Sequence, residues 1–241
     1  LKVIGAADGS GGPSPTGSML FTNCGSCSPP SNITILTTMT NGSASNPATG
    51  PDIQNITFYD GKTNAGNAYA GLNIGTTNGF NVSNSGFYGF TGAASPVSSD
   101  PQGGAAIVTT GGQKTVNIPL PWVQFGKIEN NHIHAKIGFT SKFKISSVNF
   151  DNNTVQCPSL GNSFPTNGMI GLDIGGLWYL TNGSTVAPQT GGENRVINQQ
   201  SQGCLIGVLL GSQNNDRVEE KLENPSTVVQ CPTSSAPCSI G

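Results

Sequence analysis

The chain repeats a short phrase in which two apolar residues lie on either side of a turn. In each copy, an apolar residue is followed by a spacer, by Asn or Ser, by two further residues and by a second apolar residue. The four copies are Ile53–Phe58, Val82–Phe87, Ile128–Ile133 and Ile145–Phe150. They predict short strands with inward apolar residues, joined by a residue that tolerates left-handed backbone angles. Their unequal spacing fits either insertions between stacked strands or chance recurrence.

Alternation of apolar residues predicts further strands. Ile33 and Ile35 alternate before a turn at Asn41-Gly42, and the segment 72–82 reads as two short strands around a turn. A strand is also expected at 105–108. Gly, Pro and Ser clusters in residues 1–30 predict an irregular N-terminal arm, so residues 31–241 are expected to form one all-β domain.

One short helix is predicted near the C-terminus. Asn215 or Asp216 provides an N-cap, Val218 and Leu222 lie at helical spacing, and Pro225 would end the helix. No long amphipathic pattern accompanies it, which excludes an α/β nucleotide-binding enzyme.

The phrase pattern over residues 50–210 resembles right-handed parallel β-helix proteins, such as polysaccharide lyases, pectinase-type glycoside hydrolases and phage tailspikes. None of the catalytic motifs of those families is found intact, so the resemblance carries over no active-site residue. An antiparallel sandwich or jelly roll, as in pilins and adhesins, predicts similar strand and turn statistics. The fold class is therefore all-β, with both architectures open.

Charge is unusually sparse in this chain. Asp, Glu, Lys and Arg make up 9% of the 241 residues, against about 25% in an average soluble domain. The net charge of −2 excludes nucleic acid as an expected partner. The longest strongly apolar stretch, 204–210, is too short to span a membrane.

The cysteines and the first residue indicate export. The chain begins at Leu1 and has no apolar leader, as expected of a mature product after signal removal. In an oxidising compartment up to three disulfides can form among the six cysteines, with fifteen pairings in principle; Cys231 with Cys238 is the pairing favoured. The cysteines are Cys24, Cys27, Cys157, Cys204, Cys231 and Cys238.

Two acids are candidates for catalysis. A glycosidase needs two converging carboxylates, and Asp151 and Asp173 each adjoin a strand-like run. Either can equally be an outward strand residue or a turn residue. No nucleophile-elbow motif is present, and no cofactor is expected.

A basic stripe is a candidate ligand-binding surface. His132 and His134 point the same way if they lie on a strand, and with Ile133 inward both face outward. Such a stripe attracts anionic polysaccharide or an acidic partner surface, although an ordinary solvated face gives the same pattern. The stripe comprises Lys127, His132, His134, Lys136, Lys142 and Lys144.

Six Asn-x-Ser/Thr sites are candidates for N-glycosylation at exposed turns. Asn55 is a special case, because a stacked coil would bury it in an amide ladder. The sites are Asn32, Asn41, Asn55, Asn81, Asn152 and Asn182.

Two functions are consistent with these features. The first is a secreted or cell-surface structural or adhesion protein without enzymatic activity, for instance a self-associating subunit of a filament or pilus. The alternative is a carbohydrate-active β-helix protein, either a lyase or hydrolase or a glycan-binding relative, with exposed aromatic residues as sugar platforms.

Overall fold

The described residues of the chain form strands and turns. The computed structural model describes residues 2–5, 18–22, 33–38, 50–60, 68–75, 77–90, 105–109, 123–141, 145–158, 169–174, 193–210, 217–223 and 227–230. These residues contain no helix, and their parallel sheets curl into a half-barrel. The prediction of an all-β fold is confirmed.

Twenty strands lie in this part of the chain. They are β1 Lys2–Ile4, β2 Ser18–Thr22, β3 Ile33–Thr38, β4 Asp52–Gln54, β5 Ile56–Asp60, β6 Ala68–Ile74, β7 Thr77–Ser83, β8 Gly86–Phe90, β9 Ala105–Thr109, β10 Val123–Glu129, β11 His132–Ala135, β12 Ile137–Ser141, β13 Ile145–Ser146, β14 Asn149–Asp151, β15 Thr154–Gln156, β16 Ile170–Ile174, β17 Arg195–Gln202, β18 Ile206–Leu210, β19 Arg217–Glu223 and β20 Thr227–Gln230.

Every pair among these strands is parallel, and most strands pair with the strand three places later. Sheet A has 13 strands in the order β1-β4-β7-β10-β14-β17-β15-β11-β8-β5-β2, with β13 on β10 and β19 on β17. Sheet B has 7 strands in the order β20-β18-β16-β12-β9-β6-β3. Consecutive strands therefore form tiers stacked on one another, the first being β1 to β3 and the fourth β10 to β12. Strands β1 and β2 lie within the segment expected to be an irregular arm.

The core consists of apolar columns that run from tier to tier. One column lies on β4, β7, β10, β14 and β17. A second lies on β5, β8, β11 and β15, where the rings of Phe58 and Phe87 stack with centroids 4.6 Å apart. The first column is Ile53, Val82, Ile128, Phe150 and Val196. The second is Phe58, Phe87, Ile133 and Val155. All nine side chains are at most 1% exposed.

The corner between the two core columns is made by asparagine in a left-handed conformation. This corner is defined by Asn55, Asn84, Asn130, Asn152 and Asn198, whose φ angles are 50–56°. Asparagine tolerates positive φ better than other residues with a side chain. The sequence phrase therefore marked a real corner in its first three copies.

The residue after each corner asparagine is buried, and in the fourth and fifth tiers it is an asparagine that carries an amide ladder. Oδ1 of Asn131 accepts the backbone N–H of Ser85 at 3.0 Å, and its Nδ2 donates to the carbonyl oxygen of Val82 at 3.0 Å. Asn153 makes the equivalent bonds one tier later, to the N–H of Asn131 and the carbonyl oxygen of Ile128. These bonds satisfy backbone groups that the corner removes from the strand pairing.

Two details of the sequence prediction are wrong. Asn55 does not lie in the ladder, because it is the half-exposed corner residue itself. The fourth copy of the phrase is out of register: Phe150, its last residue, pairs with Ile128, the first residue of the third copy. Ser147 instead forms a second corner, one strand earlier in the tier, with φ 55°.

From the second tier to the sixth, the strand of sheet B carries a small residue followed by a large one. The small positions lie against the second column of the core; a Cβ on Gly138 would collide with the carbonyl oxygen of Gly171 and with the Val155 side chain. Glycine is therefore required there for close approach. The pairs are Gly71-Leu72, Ala106-Ile107, Gly138-Phe139, Gly171-Leu172 and Gly207-Val208.

The predicted C-terminal helix is wrong. Residues 217–223 form β19, which pairs with β17 so that Val218 lies opposite Val196 and Leu222 opposite Ser201. A spacing of four places two residues on one face of a helix and equally on one face of a strand, so the spacing alone could not separate the two. Within the described ranges no helix has the length and apolarity needed to cross a membrane.

Candidate binding face

The outer surface of sheet A carries most of the described charged side chains. On β10, Ile128 is buried while Lys127 and Glu129 lie on the opposite side, as period-two alternation requires. Parallel pairing places equivalent residues of successive tiers beside one another in two columns. The first column is Asp52, Asn81, Lys127, Asn149 and Arg195, and the second is Gln54, Ser83, Glu129, Asp151 and Ile197.

The charged groups of this surface are nearly balanced in sign. Lys127 and Arg195 in the first column lie two residues along the strand direction from the acids of the second column. The one ion pair found in the described part of the chain joins Lys2 Nζ to Asp52 Oδ2 at 3.8 Å. Hydrogen bonds from Asn81 and Gln54, and the charge of Lys2, hold the pKa of Asp52 below its usual value.

A second line of corner residues borders the first column. Gly79, Phe125, Ser147 and Glu193 are neighbours in successive tiers, and all have φ between 53° and 78°. Phe125 is 59% exposed. On its Gly79 side, a Cβ built on the glycine would meet only the Phe125 carbonyl oxygen, at 3.9 Å. On its other side, Ser147 Oγ donates a hydrogen bond to Glu193 Oε2 at 3.3 Å.

The two histidines lie on the outer side of β11. Both are partly exposed and Ile133 between them is buried, as the alternation predicts. His132 meets the ring of Tyr88 edge-on, with centroids 5.7 Å apart. Burial, together with the positive charge of His132, lowers the pKa of His134 below its ordinary value.

The lysines proposed for the basic stripe do not share one surface. Lys127 belongs to β10, whereas Lys136 follows β11 at a bend and is 3% exposed. Burial lowers the pKa of Lys136. Lys142 and Lys144 lie outside the described residues.

The two candidate catalytic acids lie on different sheets. Asp151 is on the outer surface of sheet A, where Asn198 Nδ2 donates to its Oδ1 at 3.4 Å. Asp173 is on sheet B and fully buried, and its Oδ2 accepts a hydrogen bond from Thr140 Oγ1 at 2.6 Å. They therefore do not converge on one bond as the two carboxylates of a glycosidase must, and the spacing of the acids in the sequence singles out no pair.

The described residues include two of the six cysteines and three of the six candidate glycosylation sites. Cys157 and Cys204 form a disulfide bond; the favoured pair Cys231–Cys238, as well as Cys24 and Cys27, lies outside the described residues. Asn32, Asn41 and Asn182 also lie outside them.

The three described glycosylation sites differ in how their amides are used. Asn81 Nδ2 donates to Asp52 Oδ1 at 2.9 Å and to Ser83 Oγ at 3.2 Å, so the atom that a glycan would occupy is engaged. Asn152 is exposed, and its Nδ2 donates to Asn130 Oδ1 at 2.8 Å. Asn55 is intermediate in exposure.

The described residues contain no group of three or more His, Cys, Asp or Glu side chains placed to hold a metal ion. Comparison of the chain with protein-family models, with curated proteins and with solved structures finds no match.

Sequence reasoning identified Ser147 as the turn residue of the fourth phrase, but not the corner line that it forms with Phe125 and Glu193. Phe125 lies in none of the four phrases. The pattern contains no marker of its outward position, because the corner that exposes it is made by serine and glutamate in the following tiers rather than by a recurrent asparagine.

Proposed function

We propose that the stacked tiers form a parallel β-helix, the first of the two architectures considered. The support is that all described strand pairs are parallel and that residues of one tier lie opposite their equivalents in the next. An antiparallel sandwich pairs neighbouring strands through hairpins, which this topology does not use. Crossover connections between parallel strands are almost always right-handed, so we propose that handedness.

We further propose that the protein is a secreted or cell-surface structural or adhesion protein without enzymatic activity. The observation that carries this proposal is the continuous buried stack, in which amide ladders and apolar columns join consecutive tiers. The Cys157–Cys204 disulfide joins the fifth and sixth tiers and suits an oxidising compartment outside the cytoplasm. A stack of this kind is a rigid rod on which surface side chains are free to serve recognition.

Fractionation of the producing cells tests the location, and electron microscopy tests the assembly. We expect the protein in the culture medium or on the cell surface, with the 157–204 bond intact in material alkylated before lysis. Negative-stain images of the purified protein separate a filament subunit from a single-particle adhesin. A cytoplasmic protein with free thiols at both positions would contradict the proposal.

The alternative, a carbohydrate-active β-helix protein, is favoured in its glycan-binding form by the exposed aromatic ring of Phe125 beside polar side chains. A reducing-end assay on pectin, alginate and chitin tests the enzymatic form. Release of sugar that is lost in Asp151→Asn would establish hydrolysis or lysis. With no release, the non-enzymatic function stands.

A further inference from the structure

The two corners of sheet A place different demands on their residues. At the corner between the two core columns, all five described positions carry asparagine, which tolerates positive φ. At the other corner only Gly79 is a residue suited to this conformation, and the next three tiers carry phenylalanine, serine and glutamate. A bulky residue at positive φ costs free energy that glycine avoids. Phe125 in particular occupies its corner at a conformational cost that a glycine there would avoid.

The exposure of Phe125 points to a contact with a partner. The residue is 59% exposed, so it contributes little to the core. Gly79, in the preceding tier, leaves open space beside it. An exposed aromatic ring beside the open space at Gly79 offers a flat apolar surface on which one ring-shaped group can lie.

Neighbouring register positions, on the strand of Phe125 and in the two following tiers, carry groups that suit the hydroxyls of a sugar. Glu193 accepts hydrogen bonds and is already oriented by Ser147, Asn149 donates and accepts, and Lys127 and Arg195 donate. The three charged groups are two cations and one anion, so the site attracts neither strongly acidic nor strongly basic ligands. Here, the Phe125 shelf denotes Phe125, Lys127, Ser147, Asn149, Glu193 and Arg195.

The spacing of the shelf suits a chain rather than a single sugar. Equivalent positions in successive tiers are about 4.8 Å apart, the ordinary distance between paired strands. From Phe125 to Glu193 the shelf crosses three strands, or about 10 Å. Two or three linked sugars laid across the strands would cover it.

We propose that the Phe125 shelf binds an uncharged glycan chain. This inference deepens the adhesion function proposed above and depends on it, because it names the ligand class that such an adhesin would hold. The Phe125 ring stacks on the apolar face of one sugar, while Glu193, Asn149 and Arg195 bond to the hydroxyls of the next.

Isothermal titration calorimetry with defined hexasaccharides tests the proposal. The neutral probes are the β-1,4-linked hexamers of glucose, mannose and N-acetylglucosamine, and the charged probe is an alginate hexasaccharide. We expect at least one neutral hexamer to bind, with an affinity that changes less than twofold between 50 and 500 mM salt. Binding by the alginate probe alone, or by no probe, would overturn the proposal.

Two variants separate a binding role from a structural one. Phe125→Gly relieves the backbone strain, so we expect its unfolding temperature to rise by about 2–4 °C while its affinity falls at least tenfold. Ile4→Ala is the matched control, because Ile4 is also an exposed apolar side chain of sheet A, at 50% exposure, and lies outside the shelf. Wild-type affinity in Phe125→Gly would refute the site. Cell fractionation is independent of this titration, so failure of the ligand does not count as failure of the surface location.

Discussion

Oδ1 of Asn153 accepts two hydrogen bonds from Asn131, one from its backbone N–H at 3.1 Å and one from its side-chain amide at 3.0 Å. The same geometry recurs at the other corner, where Asn194 Oδ1 accepts the N–H of Val148 at 3.1 Å. In each case the asparagine side chain accepts a hydrogen bond from a backbone N–H of the preceding tier. These ladders supply specific pairing in a protein whose strands are short.

Removal of one ladder amide is expected to destabilise the stack. In Asn153→Ala the N–H of Asn131 and the carbonyl oxygen of Ile128 lose buried partners, at a cost of about 3 kcal/mol in the free energy of unfolding. Urea denaturation measures the loss. The adjacent Asn152→Gly is the control, because Asn152 is an exposed corner residue whose φ of 51° suits glycine. Equal losses in the two variants would contradict the ladder.

Extension of the ladder is expected to stabilise the protein. Gln199 follows the corner residue Asn198 and is fully buried, yet neither Nε2 nor Oε1 has a hydrogen-bond partner in the structure. In Gln199→Asn the shorter side chain is placed to accept from the N–H of Asn153 and to donate to the carbonyl oxygen of Phe150.

We expect Gln199→Asn to gain about 1–2 kcal/mol in stability, by satisfying buried polar atoms. Urea denaturation measures the gain, and slower hydrogen exchange at the Asn153 amide locates it. Gln199→Ala is the control, since it removes the amide without building the bonds. A gain in Gln199→Ala as large as in Gln199→Asn would show that loss of an unsatisfied group, and not a new ladder bond, is responsible.

The disulfide is expected to contribute to stability through the unfolded chain. The bond closes a segment with a sequence separation of 47 residues, for which the chain-entropy treatment gives about 4 kcal/mol. Cys157→Ala/Cys204→Ala tests this without reducing other cysteines. Differential scanning calorimetry should show a lower unfolding temperature; an unchanged value would mean that the unfolded state is not constrained by the bond.

His134 is expected to make the protein less stable in mild acid. Its pKa in the folded protein lies below the ordinary value of 6.5, so below that pH the unfolded state binds more protons than the folded state. The free energy of unfolding is therefore unaffected by His134 protonation above pH 6.5, and it decreases as the pH falls below that value. In His134→Gln the decline in unfolding free energy from pH 7 to pH 5 should be smaller. The same decline in both proteins would assign it to other groups.

The sequence predicted the corners and the inward apolar positions, because asparagine at positive φ and period-two alternation are local properties. The unequal spacing of the phrases was harder to interpret: the ladder bonds join residues separated by 46 and 22 positions. Register then depends on contacts between distant segments. This is why the fourth phrase was assigned to the wrong corner.

The other errors have the same physical origin. A four-residue spacing between Val218 and Leu222 did not reveal a strand, because its pairing partner lies in β17. The exposed ring of Phe125 and the separation of Asp151 from Asp173 are likewise set by which strands stack. The small–large repeat of sheet B, as in Gly138-Phe139, is visible in the sequence. Its recurrence would have predicted β12 directly.

The variable separation between ladder partners has an evolutionary consequence. Segments between equivalent positions range from 22 to 46 residues while the same backbone atoms meet. Length changes in the connections are thus uncoupled from the packing of the interior. Such a scaffold can lengthen, shorten or exchange its connections through insertions and deletions. Foreign peptides grafted into those connections would leave the buried columns of side chains undisturbed.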